Sequence, residues 1–314
     1  MTIKGTLGEF ELIADLLAPL ADNPVAGNLQ DDAAQFTPPV GYDLVISIDA
    51  LVGGVHFPID APPTLVARRL VACNVSDLAA KGAQPAGCAL TLGVGPDWDA
   101  AFLKGFAAAF GTALADVDLP LWGGDTVQTP TPFVSLTVHG LVANGQMLTR
   151  KGARDGDNVY VTGTIGDGWL ALKDLGPAYA KPDVPLAFGQ GLVGLAHAAL
   201  DVSDGLLADL DHLCRASGGT INLDAASIPL SEEGKAYVAQ GGDMADLLGA
   251  GDDLQIAFTA PASVAETLID MAAQTNTAVT AIGHFAKSAA DQKAILRDPS
   301  GAEIDVVRRG YSHF

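Results

Sequence analysis

Carboxylates recur in this sequence at positions where an ordinary solvated surface would not place them. The segment 63–82 is apolar on nearly every side and predicts a buried helix, yet Asn74, Asp77 and Lys81 share one face of it. A buried ionised carboxylate is costly unless it is paired or binds a metal ion. Asp77 is therefore predicted to ligate a metal ion, and an ion pair with Lys81 is the alternative.

A predicted strand over 43–50 (DLVISIDA) concentrates polar residues in the same way. One of its faces is apolar, and the other becomes more polar toward the carboxyl end, where α/β sheets place ligands. The apolar face holds Leu44, Ile46 and Ile48, and the second face holds Asp43, Val45, Ser47 and Asp49. The carboxyl end of this strand is therefore a candidate ligand site.

Three further acidic motifs complete the set. Adjacent carboxylates in LQDDAA (29–34) repel each other unless a cation lies between them, and GGDT (123–126) allows close backbone approach beside an acid. In DVSDG (201–205), Asp201 and Ser203 lie on one side of an extended segment, and Asp204 either caps a helix or binds a ligand. Oxygen donors without a His or Cys cluster favour a hard cation, Mg²⁺ above all.

The overall charge limits what these acids bind. The 314 residues carry 17 Lys and Arg against 37 Asp and Glu, a formal net charge of −20. That field repels phosphates, which excludes non-specific nucleic-acid binding and binding to anionic membranes. The P-loop and protein-kinase signatures are absent. Several Mg²⁺ ions between Asp and phosphate oxygens would reverse the repulsion, with Arg150 and Lys151 as conspicuous local cations, and a Mg²⁺-dependent phosphate-handling enzyme is predicted.

The elements that position these residues alternate between helix and strand. We predict further helices over 8–21, 98–116, 166–175, 205–217 and 262–275, and further strands over 86–93, 132–142, 158–163, 220–223, 254–259 and 278–284. The length indicates about two domains, and the polar, turn-rich LTRKGARDGD (148–157) is the predicted junction. This pattern predicts an α/β (α+β) chain with domains 1–147 and 148–314. No secretory peptide, membrane span or disulfide framework is expected, and the expected location is cytoplasmic.

Nine motifs occur in the order typical of thiamine-monophosphate kinases. They are GEFELI (8–13), DDAA (31–34), SIDALVGGVHF (47–57), NVSDLAAKGAQP (74–85), GGDT, LTRKGARDGD, YVTGTIGDG (160–168), DVSDGLLADLDH (201–212) and RGYSHF (309–314). The chain resembles that family over essentially its whole length. The family belongs with aminoimidazole-ribonucleotide synthetase and selenophosphate synthetase. The resemblance implies their two-domain fold, an N-terminal mixed sheet with helices that binds ATP and Mg²⁺ and forms a homodimer, and a C-terminal α/β domain.

The resemblance also implies roles for individual residues. The Mg²⁺ ligands it implies are Asp32, Ser47, Asp49, Asp77, Asp125, Asp201 and Asp204, with only the backbone carbonyl available at Ile48. ATP contacts fall on Gly124, Asp125, Arg150 and Ser203. His56 matches a residue that meets the substrate phosphate, and Asp252 and Arg308 match positions near the thiamine ring.

The sequence departs from the family pattern at four places, one of which shortens the acid at Asp252. Gln30 replaces a glycine and Ile48 replaces a threonine, whereas GDDLQI (251–256) stands for GEDYEL and puts Leu254 in place of an aromatic. Arg308 replaces an aromatic residue whose face would stack on the cationic thiazolium, and its own positive charge repels that ring unless the side chain swings away. The resemblance therefore implies intact phosphate chemistry and altered recognition of the thiamine moiety.

The implied reaction is ATP-dependent phosphorylation of thiamine monophosphate to thiamine diphosphate by direct in-line transfer. The acceptor phosphate has a second pKa of about 6, so it is already mostly dianionic, and neither a general base nor a covalent catalytic nucleophile is expected. The alternatives are a related ATP-using enzyme with another phosphate acceptor and a non-catalytic Mg-nucleotide-binding protein. Surface or capping roles are expected for the remaining histidines, His139, His197, His212, His284 and His313.

Overall fold

The computed structural model describes residues 7–288 and 291–312. Its α-helices are α1 (Glu9–Leu12), α2 (Pro63–Ala80), α3 (Ala100–Asp116), α4 (Asp167–Leu172), α5 (Pro177–Ala180), α6 (Leu186–Gly191), α7 (Leu206–Ser217), α8 (Glu232–Ala239), α9 (Met244–Leu248) and α10 (Ala265–Thr275). Its strands are β1 (Tyr42–Val52), β2 (Gln84–Val94), β3 (Leu121–Gln128), β4 (Phe133–Ala143), β5 (Asn158–Thr162), β6 (Ala198–Val202), β7 (Gly219–Asp224), β8 (Gln255–Ala260), β9 (Val279–Lys287) and β10 (Ala294–Arg297).

The chain divides into two compact units. The first comprises residues up to 78 together with 84–145, and the second comprises 79–83 and residues from 146 onward. Each unit combines one sheet with helices, which confirms the predicted α/β (α+β) class. The functions assigned to the two predicted domains stay predictions. No helix within the described ranges is long and apolar enough to span a bilayer.

The first unit is built on a four-stranded sheet in the order β1-β4-β2-β3. β4 pairs antiparallel with β1 and β2, and β3 runs parallel to β2. Strict alternation along β4 buries Val134, Leu136 and Val138 on one face. Helix α2 is buried on several sides, as its composition predicts, and its polar residues Asn74 and Asp77 reach β1.

The opposite face of edge strand β1 is apolar and exposed. Tyr42, Leu44, Ile46 and Ile48 alternate along the strand and are 47%, 38%, 60% and 63% exposed. We call these four side chains the open face of β1. Exposed apolar side chains on one strand face of this kind make the open face of β1 a candidate interaction surface.

The second unit is built on a six-stranded sheet in the order β10-β7-β9-β5-β8-β6. All neighbours are antiparallel except β10 and β7. β6 is buried at every position, and α7 packs Leu206, Leu210 and Leu213 into the same core. The helix ends at Gly218, whose φ of 68° lies in the left-handed region that glycine adopts readily.

Several elements depart from the predicted pattern. The predicted helix 8–21 continues past α1 as a π-helical turn (Ile13–Leu17) and a 3-10 turn (Ala18–Ala21). The sequence pattern does not predict β3, because LWGGDTVQ holds two glycines and an acid that weaken its strand signal. Its parallel pairing with β2 supplies the hydrogen bonds that make it a strand.

Candidate active site

Strand β1 and helix α2 hold three predicted metal ligands in one neighbourhood. The Ser47 hydroxyl donates to Asp77 Oδ2, and the Asp49 backbone N–H donates to Asn74 Oδ1 at 2.9 Å. Asn74 is fully buried and donates to Leu70 O at 2.8 Å, which fixes its amide. Asp49 and Asp77 are half-buried. The polar end of the predicted strand is therefore fastened to the polar face of the predicted helix. The Ile48 side chain belongs to the opposite, open face.

A cavity of about 520 Å³ in the first unit adjoins the GGDT segment. Its acidic wall holds Asp31, Asp32 and Asp125. The Asp32 N–H donates to Asp31 Oδ1 at 2.8 Å, and the Thr126 N–H donates to Asp125 Oδ1 at 2.9 Å. Asp32 and Asp125 are exposed, so their carboxylates can meet a ligand at the surface.

Aromatic side chains also line this cavity. Trp122 stacks on Phe36 with ring centroids 4.6 Å apart, and its ring lies 5.0 Å from that of His139. Burial lowers the pKa of His139, and within the described part of the chain its Nδ1 is buried without a hydrogen-bond partner. The expectation of a surface or capping role for His139 is therefore wrong, because its ring packs beside Trp122 instead.

The other histidines divide. His212 and His284 are exposed, whereas His197 Nδ1 lies 2.9 Å from both carboxylate oxygens of the buried Asp157. The expectation of a surface or capping role is therefore also wrong for His197, because its ring contacts the carboxylate of the buried Asp157. His313 lies outside the described residues.

Gly124 lies on the same segment of β3 and is exposed. A Cβ at this position would lie 1.9 Å from the carbonyl oxygen of Leu90, which no real contact permits. The neighbouring Gly123 has open space at the equivalent point. Only Gly124 is therefore compelled to be glycine by the packing of β2 against β3.

His56 occupies the turn that follows β1. Its Nδ1 accepts a hydrogen bond from the Val52 N–H at 3.0 Å, and its own N–H donates to Val52 O at 2.9 Å. Since Nδ1 is an acceptor, the neutral ring carries its proton on Nε2. His56 is half-buried, and these two bonds fix its ring in the turn.

In the second unit, the turn between β6 and α7 carries Ser203 and Asp204. The alternative in which Asp204 caps α7 is wrong, because the N-cap is Gly205, whose φ is 123°. Instead Asp209 Oδ2 accepts from the N–H groups of Ser203, Asp204 and Gly205 at 3.0, 3.0 and 3.1 Å. The side chains of Ser203 and Asp204 remain exposed, and Asp201 is buried on β6 just before them.

Two buried carboxylates in this unit have raised pKa values. Burial raises the pKa of Asp209 to about 8, and the Asp201 and Asp204 carboxylates add to the rise. Burial also raises the pKa of Asp253 to about 7, although the N–H groups of Gly166 and Gly168 oppose it. In both places burial outweighs the stabilisation of the charged form by backbone N–H groups.

Asp252 contacts the turn that Asp209 binds, and it directly precedes Asp253 in the sequence. Its φ is 67°, its N–H donates to Ser203 O at 2.9 Å, and its neighbour Asp253 accepts from Gly166 and Gly168. Leu254, at the family's aromatic position, is 2% exposed. That position is part of the core here and presents no face to a ligand.

Arg150 and Arg308 are both exposed. The segment that carries Arg308 is anchored by Arg309, which forms two bonds to Asp211, from Nε to Oδ2 at 2.8 Å and from Nη2 to Oδ1 at 2.7 Å. The Tyr311 N–H then donates to Asp204 O at 2.8 Å. The structure thus brings Asp252 and the segment bearing Arg308 to the turn that holds Ser203 and Asp204.

The metal-ligating prediction meets a specific geometry. Across residues 7–288 and 291–312, no three His, Cys, Asp or Glu side chains are grouped so that they could hold a metal ion by themselves. The predicted ligands form smaller sets: Ser47 with Asp77, and Asp32 with Asp125 around the cavity. Their hydroxyl and carboxylate oxygens fit Mg²⁺ in donor type, since that ion usually keeps one or two carboxylates and takes its other ligands from water and phosphate.

Sequence reasoning does not single out Asp209, Asp253 or Trp122. The signal for Asp209 is its position four residues after a glycine that starts a helix, where a carboxylate can reach back to the first N–H groups. Trp122 precedes GGDT directly, but only the pairing of β3 with β2 places its ring in the cavity.

Comparisons with known proteins identify the family of this chain. Residues 30–142 match the family described as "AIR synthase related protein, N-terminal domain". The chain is 38% identical to the thiamine-monophosphate kinase of Caulobacter vibrioides, over 97% of this chain and 90% of that protein. The crystal structure of thiamine-monophosphate kinase from Stenotrophomonas maltophilia K279a is 33% identical, with a TM-score of 0.82 over 92% of this chain and 96% of that one.

A second solved structure is that of "AaThiL complexed with AMPPCP and TMP". It is 27% identical and has a TM-score of 0.77, over 100% of this chain and 99% of that one. The alignments with these relatives cover both units of the chain. The chain is therefore an enzyme that belongs to the thiamine-monophosphate kinase family.

Proposed function

We propose that this enzyme transfers the terminal phosphoryl group of ATP to thiamine monophosphate, giving ADP and thiamine diphosphate. The observation that carries the proposal is the match along the whole chain to a structure that holds AMPPCP, which has the triphosphate shape of ATP, together with TMP. The described geometry adds two supports: an acidic cavity beside GGDT and an exposed Ser203–Asp204 turn.

We assign ATP binding to Gly124, Asp125, Arg150 and Ser203. The bare backbone of Gly124 allows phosphate oxygens to approach β3 closely. The exposed guanidinium of Arg150 and the exposed hydroxyl of Ser203 are donors suited to phosphate. ATP is a cytoplasmic substrate, so we expect a cytoplasmic enzyme.

Mg²⁺ is the cation that these oxygen donors would hold. The residues assigned to it are Asp32, Ser47, Asp49, Asp77, Asp125, Asp201 and Asp204, with the carbonyl of Ile48. When bound, it neutralises charge between two anionic reactants on a protein whose own net charge is −20. Binding would be completed by phosphate oxygens, which fits described residues in which no three His, Cys, Asp or Glu side chains are grouped to hold a metal ion by themselves.

The chemistry needs positioning more than proton transfer. An oxygen of the acceptor phosphate attacks the γ-phosphorus of ATP, the bond to the β–γ bridging oxygen breaks, and ADP leaves with that electron pair. We assign the acceptor phosphate to His56 and the heterocyclic part of the substrate to Asp252 and Arg308. No phosphorylated side chain forms in this scheme.

We also propose that the enzyme is a homodimer in which a second copy covers the open face of β1. β1 is an edge strand, and its four apolar side chains form one continuous strip. Ile46→Lys places a charge at the centre of that strip. Sedimentation should show a dimer for the wild-type protein and a monomer for this variant, and a monomeric wild-type protein would contradict the proposal.

The direct test is product analysis. Purified protein with ATP and Mg²⁺ is assayed with and without thiamine monophosphate, and ADP and thiamine diphosphate are expected in equal amounts. Asp77→Asn is expected to reduce transfer by orders of magnitude while keeping the fold, and Asp270→Asn, an exposed change of the same charge on α10, serves as the control. Consumption of ATP only with another phosphate acceptor would assign a different reaction in the same family.

A further inference from the structure

Asp209 makes an unusual set of hydrogen bonds. Its side chain is 3% exposed, and a single oxygen, Oδ2, accepts from three consecutive backbone N–H groups, those of Ser203, Asp204 and Gly205. These are the amides of the turn that leads into α7. Helix N-termini carry unsatisfied N–H groups and a partial positive charge, so a carboxylate there is favourable.

Ordinary N-caps in the same unit solve this problem differently. Asp243 caps α9 from the N-cap position, where Oδ1 accepts from Ala245 N at 2.9 Å, and its side chain is exposed. If Asp204 capped α7 in that way, its carboxylate would be committed to the helix. The buried Asp209 takes over the N–H groups and leaves the side chains of Ser203 and Asp204 at the surface.

The carbonyl groups of the same turn hold the neighbouring segments. Ser203 O accepts from the Asp252 N–H at 2.9 Å, and Asp204 O accepts from the Tyr311 N–H at 2.8 Å. Gly251 passes so close that a Cβ there would lie 2.4 Å from Ser203 O. The carbonyl oxygens of Ser203 and Asp204 therefore connect the 203–205 turn to Asp252 and to the C-terminal segment at Tyr311.

We propose that Asp209 is a positioning residue for ligand binding: its carboxylate orients the 203–205 turn so that Ser203 and Asp204 face Mg·ATP and Asp252 is held at the substrate. The inference rests on the function proposed above for Ser203, Asp204 and Asp252. Loss of Asp209 leaves three amides without their acceptor and lets the turn rotate. The affinity for Mg·ATP then falls more than it does when an ordinary helix cap is removed.

The experiment compares Asp209→Ala, Asp209→Asn and the control Asp243→Ala. We expect Asp209→Ala to raise the KM for Mg·ATP and the half-saturating Mg²⁺ concentration about tenfold or more, and to weaken Mg·AMPPCP binding in calorimetry to the same degree. Asp209→Asn keeps an acceptor oxygen and is expected to stay within about threefold of wild type. Asp243→Ala should lower the thermal midpoint without changing either constant. Wild-type binding constants in a folded Asp209→Ala protein would overturn the proposal.

A second measurement does not depend on a variant that folds. Hydrogen exchange on the wild-type chain should show the amides of residues 203–205 as protected as those in the middle of α7. Rapid exchange of these three amides would refute the role of Asp209, even if no variant could be purified. Failure of the proposed function is recognised separately, by a wild-type protein that forms no thiamine diphosphate.

Discussion

The two units use aspartate in opposite ways. Around the cavity of the first unit, Asp31, Asp32 and Asp125 are exposed, and Asp31 and Asp125 each accept from the backbone N–H of the next residue while their carboxylates stay at the surface. In the second unit, Asp209 and Asp253 are 3% and 6% exposed and are directed at N–H groups of the turns beside them. The exposed carboxylates can bind a cation, whereas the buried carboxylates accept hydrogen bonds from backbone N–H groups.

This difference shows why acidity alone does not identify a metal site. The motif DVSDGLLADLDH contains four aspartates, of which Asp211 pairs with Arg309 and Asp209 holds the turn. Only Ser203 and Asp204 of this region expose side chains that are proposed ligands. The direction of a carboxylate's hydrogen bonds therefore indicates its role better than its motif does, and burial alone does not, since the buried Asp201 is a proposed ligand.

The largest effect should come from the exposed acids. Asp125→Asn removes a charge from the cavity wall and is expected to lower kcat/KM for thiamine diphosphate formation by about 100-fold or more, because charge neutralisation between reactants is lost. The control is Asp270→Asn, which removes one charge from the surface of α10. Equal activity of the two variants would show that the cavity acids take no part in the reaction.

Stability should show the reverse order. Asp209→Ala leaves three backbone N–H groups, one buried and two partly buried, without their acceptor and is expected to lower the free energy of unfolding by about 3 kcal/mol. Asp125→Ala should change it by no more than about 0.5 kcal/mol, as exposed substitutions usually do. Urea denaturation of both variants tests the contrast, which would be broken if the two losses were similar.

The pH dependence of stability should isolate Asp253. Its pKa is raised from 3.8 to about 7 in the folded chain, so between these values the folded state binds more protons than the unfolded state. Stability is therefore lost as the pH rises through this window. Asp253→Asn carries no titrating proton, and its unfolding free energy should fall less between pH 4 and pH 7 than that of the wild type. Parallel curves would show that Asp253 is already ionised in the folded chain.

The smallest effect on the kinetic constants is expected from a substitution of Arg308 in the second unit. Arg308→Trp replaces a cation by an aromatic face at a position that is exposed. If the substrate carries a cationic thiazolium, the KM for thiamine monophosphate should fall about threefold while the KM for ATP stays constant. A rise in the KM for thiamine monophosphate would show that Arg308 itself contributes to binding.

Local sequence patterns were sufficient for one part of this molecule. The polar face of α2 and the polar end of β1 follow from periodicity, and the structure joins them through Ser47 and Asp77. β3 and the role of Asp209 do not follow, since the first depends on pairing with a distant strand and the second on a turn whose glycine has φ of 123°. Such features arise from tertiary contacts, which no window of a few residues contains.

Gly124 has a consequence for how variants of this enzyme are interpreted. Its surface exposure suggests tolerance, yet any side chain would collide with the Leu90 carbonyl and separate β3 from β2. In a saturation library this position should therefore behave like a core residue, and its losses report on strand pairing as much as on nucleotide contact. Gly123, where a methyl group meets nothing within 4 Å, is the position at which an added side chain probes the cavity alone.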